Sequence, residues 1–240
     1  MIGCDCRVCR SGDRRDQRFR PSIYVTLDDD TRVLVDTTPD LRTQALTSGV
    51  TRVDAIVYTH AHADHIMGLD DVRRFNAITK RPMPIYADAP TLDSLRRVFS
   101  YAFDPGAQKG GGIPDLQLHT IDGPFALGAT EWQPMPVRHG SWMILGFRVG
   151  RFAYLTDCDG VPDATVAQLG GLDVLVLDAL RHKPHPTHFT VAQAVEMAQR
   201  IGARRTFFTH VAHDLGHAET NAALPASMEL SYDGLELEIA

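Results

Sequence analysis

The residues best suited to chemistry stand together in Thr59-His60-Ala61-His62-Ala63-Asp64-His65, directly after the apolar run Ala55-Ile56-Val57-Tyr58. His60 and His62, two apart in an extended segment, point to the same side, so their imidazoles can grip one divalent cation. Asp64 and His65 follow on the turn, where a second cation has room nearby. Imidazole and carboxylate donors suit zinc, manganese or iron rather than copper(I) or calcium. A strand leading into H-x-H-x-D-H is a far more demanding pattern than any lone histidine.

A two-cation site needs further ligands from other strand ends. His139 follows the run Glu131–Pro136, in the loop Val137-Arg138-His139-Gly140. Asp157 closes Tyr154-Leu155-Thr156-Asp157, a position from which a carboxylate can bridge two ions, and His210 ends the run Thr206-Phe207-Phe208-Thr209. Each alone reads as an ordinary surface or hydrogen-bonded residue. Together with the histidine loop they form one constellation at the carboxyl ends of strands.

A second cluster lies at the N-terminus, where Cys4, Cys6 and Cys9 form C-x-C-x-x-C and Cys158 stands alone far downstream. Three thiols so close can reach one tetrahedral ion, with a fourth ligand from elsewhere. The plain alternative is a set of free thiols at a frayed end. The opening MIGCDCRVCRSGDRRD has no apolar signal core. A cytoplasmic setting, where disulfides are rare, is therefore expected.

The elements that must position these residues are short β-branched runs separated by amphipathic stretches. Strands are expected at Ser22–Leu27, Arg32–Asp36, Ala55–Thr59, Pro84–Ala87, Glu131–Pro136, Ile144–Val149, Phe152–Thr156, Val174–Leu177, Thr206–Thr209 and Leu235–Ile239. Gly150-Arg151 reads as a two-residue hairpin turn. Helices are expected at Pro39–Ser48, Thr91–Ser100, Pro162–Leu169 and Val191–Ile201, the last capped by Thr190 and stopped by Gly202. The polar stretch from Phe103 to Pro114, with Gln108-Lys109-Gly110-Gly111-Gly112 inside it, reads as a surface loop or a flap beside a site. The pattern implies α/β sheets covered by helices in one domain, 1–240, with a zinc-binding segment at about 1–12.

Composition narrows the function classes. The chain has 240 residues, 44% hydrophobic and 22% charged, with a formal net charge of −6. That balance is ordinary for a globular protein and argues against nucleic acid as a general partner. No apolar run approaches the ~18 residues of a membrane span, so no membrane partner is expected. Eleven histidines and three clustered cysteines point to metals rather than to a disulfide scaffold.

The order H-x-H-x-D-H, then His139, Asp157 and His210, resembles the metallo-β-lactamase superfamily across nearly the whole chain. The resemblance implies a four-layer αβ/βα sandwich with two metals at one edge. It implies His60, His62 and His139 on one metal, Asp64, His65 and His210 on the other, and Asp157 bridging them. The stretch THAHADHIMGLDDVRRFN is similar to the branch that holds tRNA 3′-processing nucleases and PhnP-like phosphodiesterases of the carbon–phosphorus lyase pathway. The cysteine cluster resembles the PhnP-like members, whose structural zinc takes a histidine just after the last active-site ligand. His213, in His210-Val211-Ala212-His213, matches that position, and Cys158 has no counterpart and reads as a buried structural cysteine.

The motif Val35-Asp36-Thr37-Thr38-Pro39-Asp40 resembles the family's second-strand signature, which places Asp36 as a hydrogen-bonding support near the ligands. Relatives carry a first strand and a Gly-rich turn before the cysteines. Here the cysteines come almost at once, so either a missing first edge strand or a late-assigned start is expected. Asp64 and His188 are the catalytic residues the resemblance implies, His188 protonating the leaving alkoxide. The position of His188 before a helix N-terminus suits a phosphate-facing group. His182 and His185 read as loop histidines, and His119 and His217 carry no signal.

The expected activity is that of a dinuclear-metal-dependent phosphodiesterase on small cyclic phosphodiesters, phosphoribosyl cyclic phosphate or 2′,3′-cyclic nucleotides. A hydroxide bridging the two cations would attack phosphorus in line. The expected metals are manganese or zinc, with nickel and iron as further candidates, plus one structural zinc. Three alternatives stand beside it: an RNA 3′-processing nuclease, a thioester or lactone hydrolase, and a non-catalytic biosynthesis protein like PQQ-biosynthesis B. The oligomeric state is open, with a homodimer carried forward as one form.

Overall fold

Ala55, Ile56 and Val57 are buried on both faces, the requirement of a central strand in a parallel sheet. A computed structural model describes residues 1–108 and 112–239; Lys109, Gly110 and Gly111 of the Gly-rich spot, and Ala240, lie outside the described residues. The chain forms two compact units, Arg20–Trp132 and Met1–Phe19 with Gln133–Ala240.

In the first unit the strands are β1 (Ile23–Thr26), β2 (Arg32–Val35), β3 (Ala55–Val57), β4 (Met83–Ala87) and β5 (Leu116–Thr120), in that order across one sheet. β1 and β2 run antiparallel and the remaining pairs parallel. The helices are α1 (Leu41–Thr47), α2 (Ala63–Ile66), α3 (Arg73–Thr79), α4 (Ala89–Val98) and α5 (Ser100–Phe103). Asp88 caps α4 by accepting from the Thr91 N–H, with proline in the first turn. Leu92 and Leu95 of α4 and Phe75 of α3 pack on Ile56 and Ile85 in one core. β6 (Phe125–Leu127) pairs antiparallel with Thr130–Trp132, the start of the next strand.

Gly68 follows the histidine loop, and its N–H donates to the Thr37 carbonyl at 2.9 Å. A Cβ there would fall on the Thr38 carbonyl oxygen, a backbone atom that cannot swing away. Gly68→Ala is therefore expected to destabilise the protein by about 1–3 kcal/mol, the usual cost of overpacking. Urea denaturation checks this, and an unchanged midpoint would contradict the tight approach.

In the second unit β7 (Thr130–His139), β8 (Trp142–Val149) and β9 (Phe152–Leu155) form antiparallel hairpins. They continue through β10 (Val174–Asp178), β11 (Arg205–Thr209) and β12 (Met228–Leu230) as parallel neighbours, in the order β12-β11-β10-β9-β8-β7. Gly150, at φ +55°, makes the expected turn between β8 and β9. The helices are α6 (Asp163–Val166), α7 (Val191–Ile201) and α8 (His217–Ala223). α7 begins with a capping box between Thr190 and Gln193 and ends at Gly202 in the left-handed region, as its sequence implies. Ala194 and Ala198 pack with Leu175, Leu177 and Phe208 in the second core.

Two expectations need correcting. Leu235–Ile239 is not a strand; β12 takes the place beside β11 instead, because Met228 and Leu230 bury their side chains while Ile239 stays exposed. The helix expected at Pro162–Leu169 is the single turn α6. Among the described residues no helix is long and apolar enough to cross a membrane.

Candidate metal centres

In the first unit the chain turns sharply after β2. Asp36 sits at φ +64°, fully buried, with its N–H on the Val57 carbonyl at 2.9 Å. Its carboxylate accepts from the Thr59 N–H at 2.9 Å and the Thr59 hydroxyl at 2.8 Å, and lies 2.8 Å from His65 Nδ1. Burial pushes this carboxyl up, while the His65 ring and the Thr59 donors pull the other way. The effect on His65 is to occupy Nδ1 and leave Nε2 as the ring nitrogen available to a cation.

His60 follows β3 and is buried, its Nε2 3.0 Å from His62 Nδ1. Its ring centroid is 4.3 Å from that of His65. Asp64, half-exposed on α2, brings Oδ2 to 3.7 Å from His65 Nε2. Three imidazoles and one carboxylate thus converge in the first unit, a donor set that fits a borderline divalent cation.

The second unit brings His139, Asp157, His188 and His210 to the ends of its strands. His139 closes β7 and donates from Nδ1 to the Thr187 carbonyl at 2.9 Å, leaving Nε2 as the acceptor. Burial lowers its pKa, which favours the neutral ring, the form able to bind a cation. Asp157 is buried at φ +55°; its Oδ1 accepts from the Thr156 hydroxyl at 2.7 Å and its Oδ2 is 3.3 Å from His210 Nε2. His210 sits at φ +57°. Asp36, Asp157 and His210 are three of the five non-glycine residues held at positive φ among the described residues, backbone strain that concentrates where site residues are aimed.

Asp178 belongs to this constellation and the sequence reading passed over it. It ends β10, is fully buried, and holds His188 Nδ1 at 3.1 Å on Oδ1 and the Phe189 N–H at 3.0 Å on Oδ2. Burial pushes its carboxyl well up. The signal was available, since Val174-Leu175-Val176-Leu177-Asp178 has the same form as the run ending in Asp157: a carboxylate closing a buried apolar strand. The His188 ring stacks on His210 at 4.6 Å and meets the His139 ring at 5.0 Å. His185 lies 4.8 Å from His188, while His182 is exposed as expected.

The cysteine cluster also falls wholly within the second unit. The sulfurs of Cys4 and Cys6 lie 3.5 Å from His213 Nδ1 and that of Cys9 lies 3.6 Å from it. A tetrahedron with zinc–sulfur and zinc–nitrogen bonds of ordinary length has such an edge of about 3.6 Å. Three thiols and one imidazole at that spacing fit a structural zinc. The Cys9 N–H and His213 help lower the Cys6 thiol to about 6, so the thiolate forms readily. Arg18 ties the N-terminal segment to the loop that carries His213 by donating to the Ala212 carbonyl at 2.8 Å and the Leu215 carbonyl at 2.7 Å. Cys158 is fully buried, as expected, and burial pushes its thiol well up.

Cys6→Ser is expected to lose one zinc equivalent and to lower Tm by roughly 5–10 °C, since a closed zinc site contributes to folding directly. Elemental analysis with a thermal melt checks both. Full zinc content in the variant would contradict the cage.

A family model described as the beta-lactamase superfamily domain matches residues 31–211, a span that includes Asp36 through His210 and stops short of His213. A protein of Porphyromonas gingivalis named octanoyltransferase is 36% identical over 237 residues, covering 98% of this chain and 48% of that protein. The chain thus spans about half the length of that curated relative. The crystal structure of a diphosphatase from the PhnP family is 48% identical, with a TM-score of 0.92, covering all of this chain and 92% of that one. Zinc-bound PqqB from Methylobacterium extorquens shares the fold at 18% identity and a TM-score of 0.72, covering 99% of this chain and 95% of that one. Two helix-flanked sheets with His/Asp clusters suited to metal at their strand ends are the metallo-β-lactamase fold, and the chain belongs to the beta-lactamase superfamily.

Proposed function

We propose that the protein is a metal-dependent phosphodiesterase acting on small cyclic phosphodiesters, with phosphoribosyl cyclic phosphate and 2′,3′-cyclic nucleotides as the leading substrates. In this reading His60, His62 and His139 hold one cation, Asp64, His65 and His210 hold a second, and Asp157 serves both. Cations so held supply Lewis acidity, offsetting phosphoryl charge and making hydroxide available near pH ~7. Manganese and zinc are the favoured occupants, with nickel and iron able to use the same donors.

The residues of this chain do the rest. Asp36 orients His65 through Nδ1, and the Thr187 carbonyl orients His139 in the same way. Asp178 engages His188 at Nδ1, which presents the opposite ring nitrogen as the carrier of the proton for the departing oxygen. His188 is buried, so that proton is shielded from bulk water.

One observation carries the choice of phosphorus as the reacting centre: the 48% identity with a PhnP-family diphosphatase over the whole chain. The name octanoyltransferase belongs to a protein of which this chain matches 48%. Covalent acyl transfer through a thiol finds no candidate in Cys158, which is fully buried. The net charge of −6 weighs against a tRNA substrate.

Protein stripped by EDTA and reloaded with manganese, nickel or zinc should recover hydrolysis of bis(p-nitrophenyl) phosphate. Absence of turnover with all three metals would overturn the reading and favour a non-catalytic metal-binding role.

A further inference from the structure

Trp142 opens β8 directly opposite His139, the last residue of β7, across the two-residue turn Gly140-Ser141. Directly opposed residues in an antiparallel pair project to the same face with Cβ atoms about 5 Å apart. Trp142 therefore projects from the same face of the hairpin as His139. The row that contains Trp142 continues through Ile144 and Gly146, paired with Val137 and Met135, and all four of these are buried. Trp142 ends the same row but is 53% exposed.

The turn is held rigidly. The Gly140 N–H donates to Asp159 Oδ1 at 3.0 Å, and Arg138 Nε reaches the same carboxylate at 3.2 Å. The Arg138 N–H donates to the Gly160 carbonyl at 2.8 Å, and the Asp159 N–H returns a bond to the Arg138 carbonyl at 2.9 Å. Gly140 is at φ +62°, and a Cβ there would lie 2.8 Å from Thr187 Cγ2, so the turn sits against the loop that leads to His188. A large half-exposed indole on a pinned hairpin, paired directly across the strands with a proposed ligand and on a turn that sits against the loop leading to His188, is a preorganised flat surface for a ring.

We propose that Trp142 is a specificity-determining stacking platform that selects substrates carrying a planar nucleobase, directing the enzyme toward nucleoside cyclic phosphates over base-free cyclic phosphodiesters. The choice of a nucleotide as ligand rests on the phosphodiesterase reading. Stacking on an aromatic side chain tolerates any base, so purine and pyrimidine substrates should both benefit.

The test compares wild type, W142A and W142F, each loaded with manganese, on 2′,3′-cyclic AMP and on glycerol 1,2-cyclic phosphate. The ratio of kcat/KM for the nucleotide to that for the base-free substrate should fall about tenfold in W142A and by less than about twofold in W142F. A second readout does not need turnover. The chain has two tryptophans, and Trp132 is only 1% exposed, so quenching of tryptophan fluorescence by adenosine 2′-monophosphate reports on Trp142. Saturable quenching is expected in wild type and not in W142F, with ribose 5-phosphate giving none in either. If neither substrate is turned over but the quenching stands, the phosphodiesterase reading falls and the platform remains. An unchanged substrate ratio in W142A, or no saturable quenching in wild type, overturns the platform.

Discussion

Asp157→Ala should leave the protein with about one metal equivalent, the zinc of the cysteine cage, and lower kcat/KM on 2′,3′-cyclic AMP by about 10³-fold or more. The size of the effect follows from where the carboxylate sits. It is 2% exposed, one oxygen is fixed by the Thr156 hydroxyl at 2.7 Å, and the other lies 3.3 Å from His210. Its backbone is held in the left-handed region at φ +55°, so the carboxylate is aimed by the fold and not by a flexible side chain. Alanine removes the donor that the proposal assigns to both cations, whereas loss of a supporting hydrogen bond costs only about 10–100-fold. Asp157→Asn keeps the shape and loses the charge, and should fall between wild type and alanine in metal content. Elemental analysis beside kinetics checks both variants; a full metal complement in Asp157→Ala would contradict its assignment.

His188→Ala should have the second-largest effect and a different signature. Its kcat should fall by about 10²–10⁴-fold, the range for general acid catalysis, while the metal content stays at the wild-type level. Nδ1 of His188 is engaged by Asp178 at 3.1 Å and the ring stacks on His210, and the proposal gives His188 the proton and His210 the cation. The loss should depend on the leaving group. Alkyl phosphodiesters need a proton on the departing oxygen and should suffer the full effect, and bis(p-nitrophenyl) phosphate, whose phenolate departs without one, should suffer much less. Asp178→Asn should reproduce this leaving-group dependence in weaker form, because it loosens the ring without removing it. An emptied metal site in His188→Ala, or an equal loss on both substrate types, would remove the proton role.

Much of this was readable in the chain, for reasons that differ from element to element. β3 and β10 are continuous apolar runs because buried parallel strands have no solvent face, and such runs are conspicuous. α7 carries its own start and stop chemistry in Thr190, Gln193 and Gly202. β5 and β6 escaped notice because their side chains are mostly half-buried or exposed, so apolar content gave little contrast. The turn of helix at Ala63–Ile66 was hidden by the residues that make the loop chemically conspicuous, since Asp64 and His65 fill half of its four positions and mask any apolar period.

The cysteine spacing pointed to a metal, but the histidine that completes the cluster is 204 residues beyond Cys9, a separation no local pattern can bridge. Only resemblance supplied His213. Asp178 was missed because a single aspartate after an apolar run is common, and its meaning appears only when His188 is found 3.1 Å away.

The most direct test of the central claim is a side-by-side measurement of kcat/KM for manganese-loaded protein on 2′,3′-cyclic AMP, a tRNA precursor and an octanoyl thioester, with Asp157→Ala as the background. The proposed function predicts metal-dependent hydrolysis of the cyclic nucleotide well above that of the other two, abolished in the variant. Faster cleavage of the tRNA precursor or of the thioester, or turnover of the cyclic nucleotide that Asp157→Ala leaves unchanged, would contradict it.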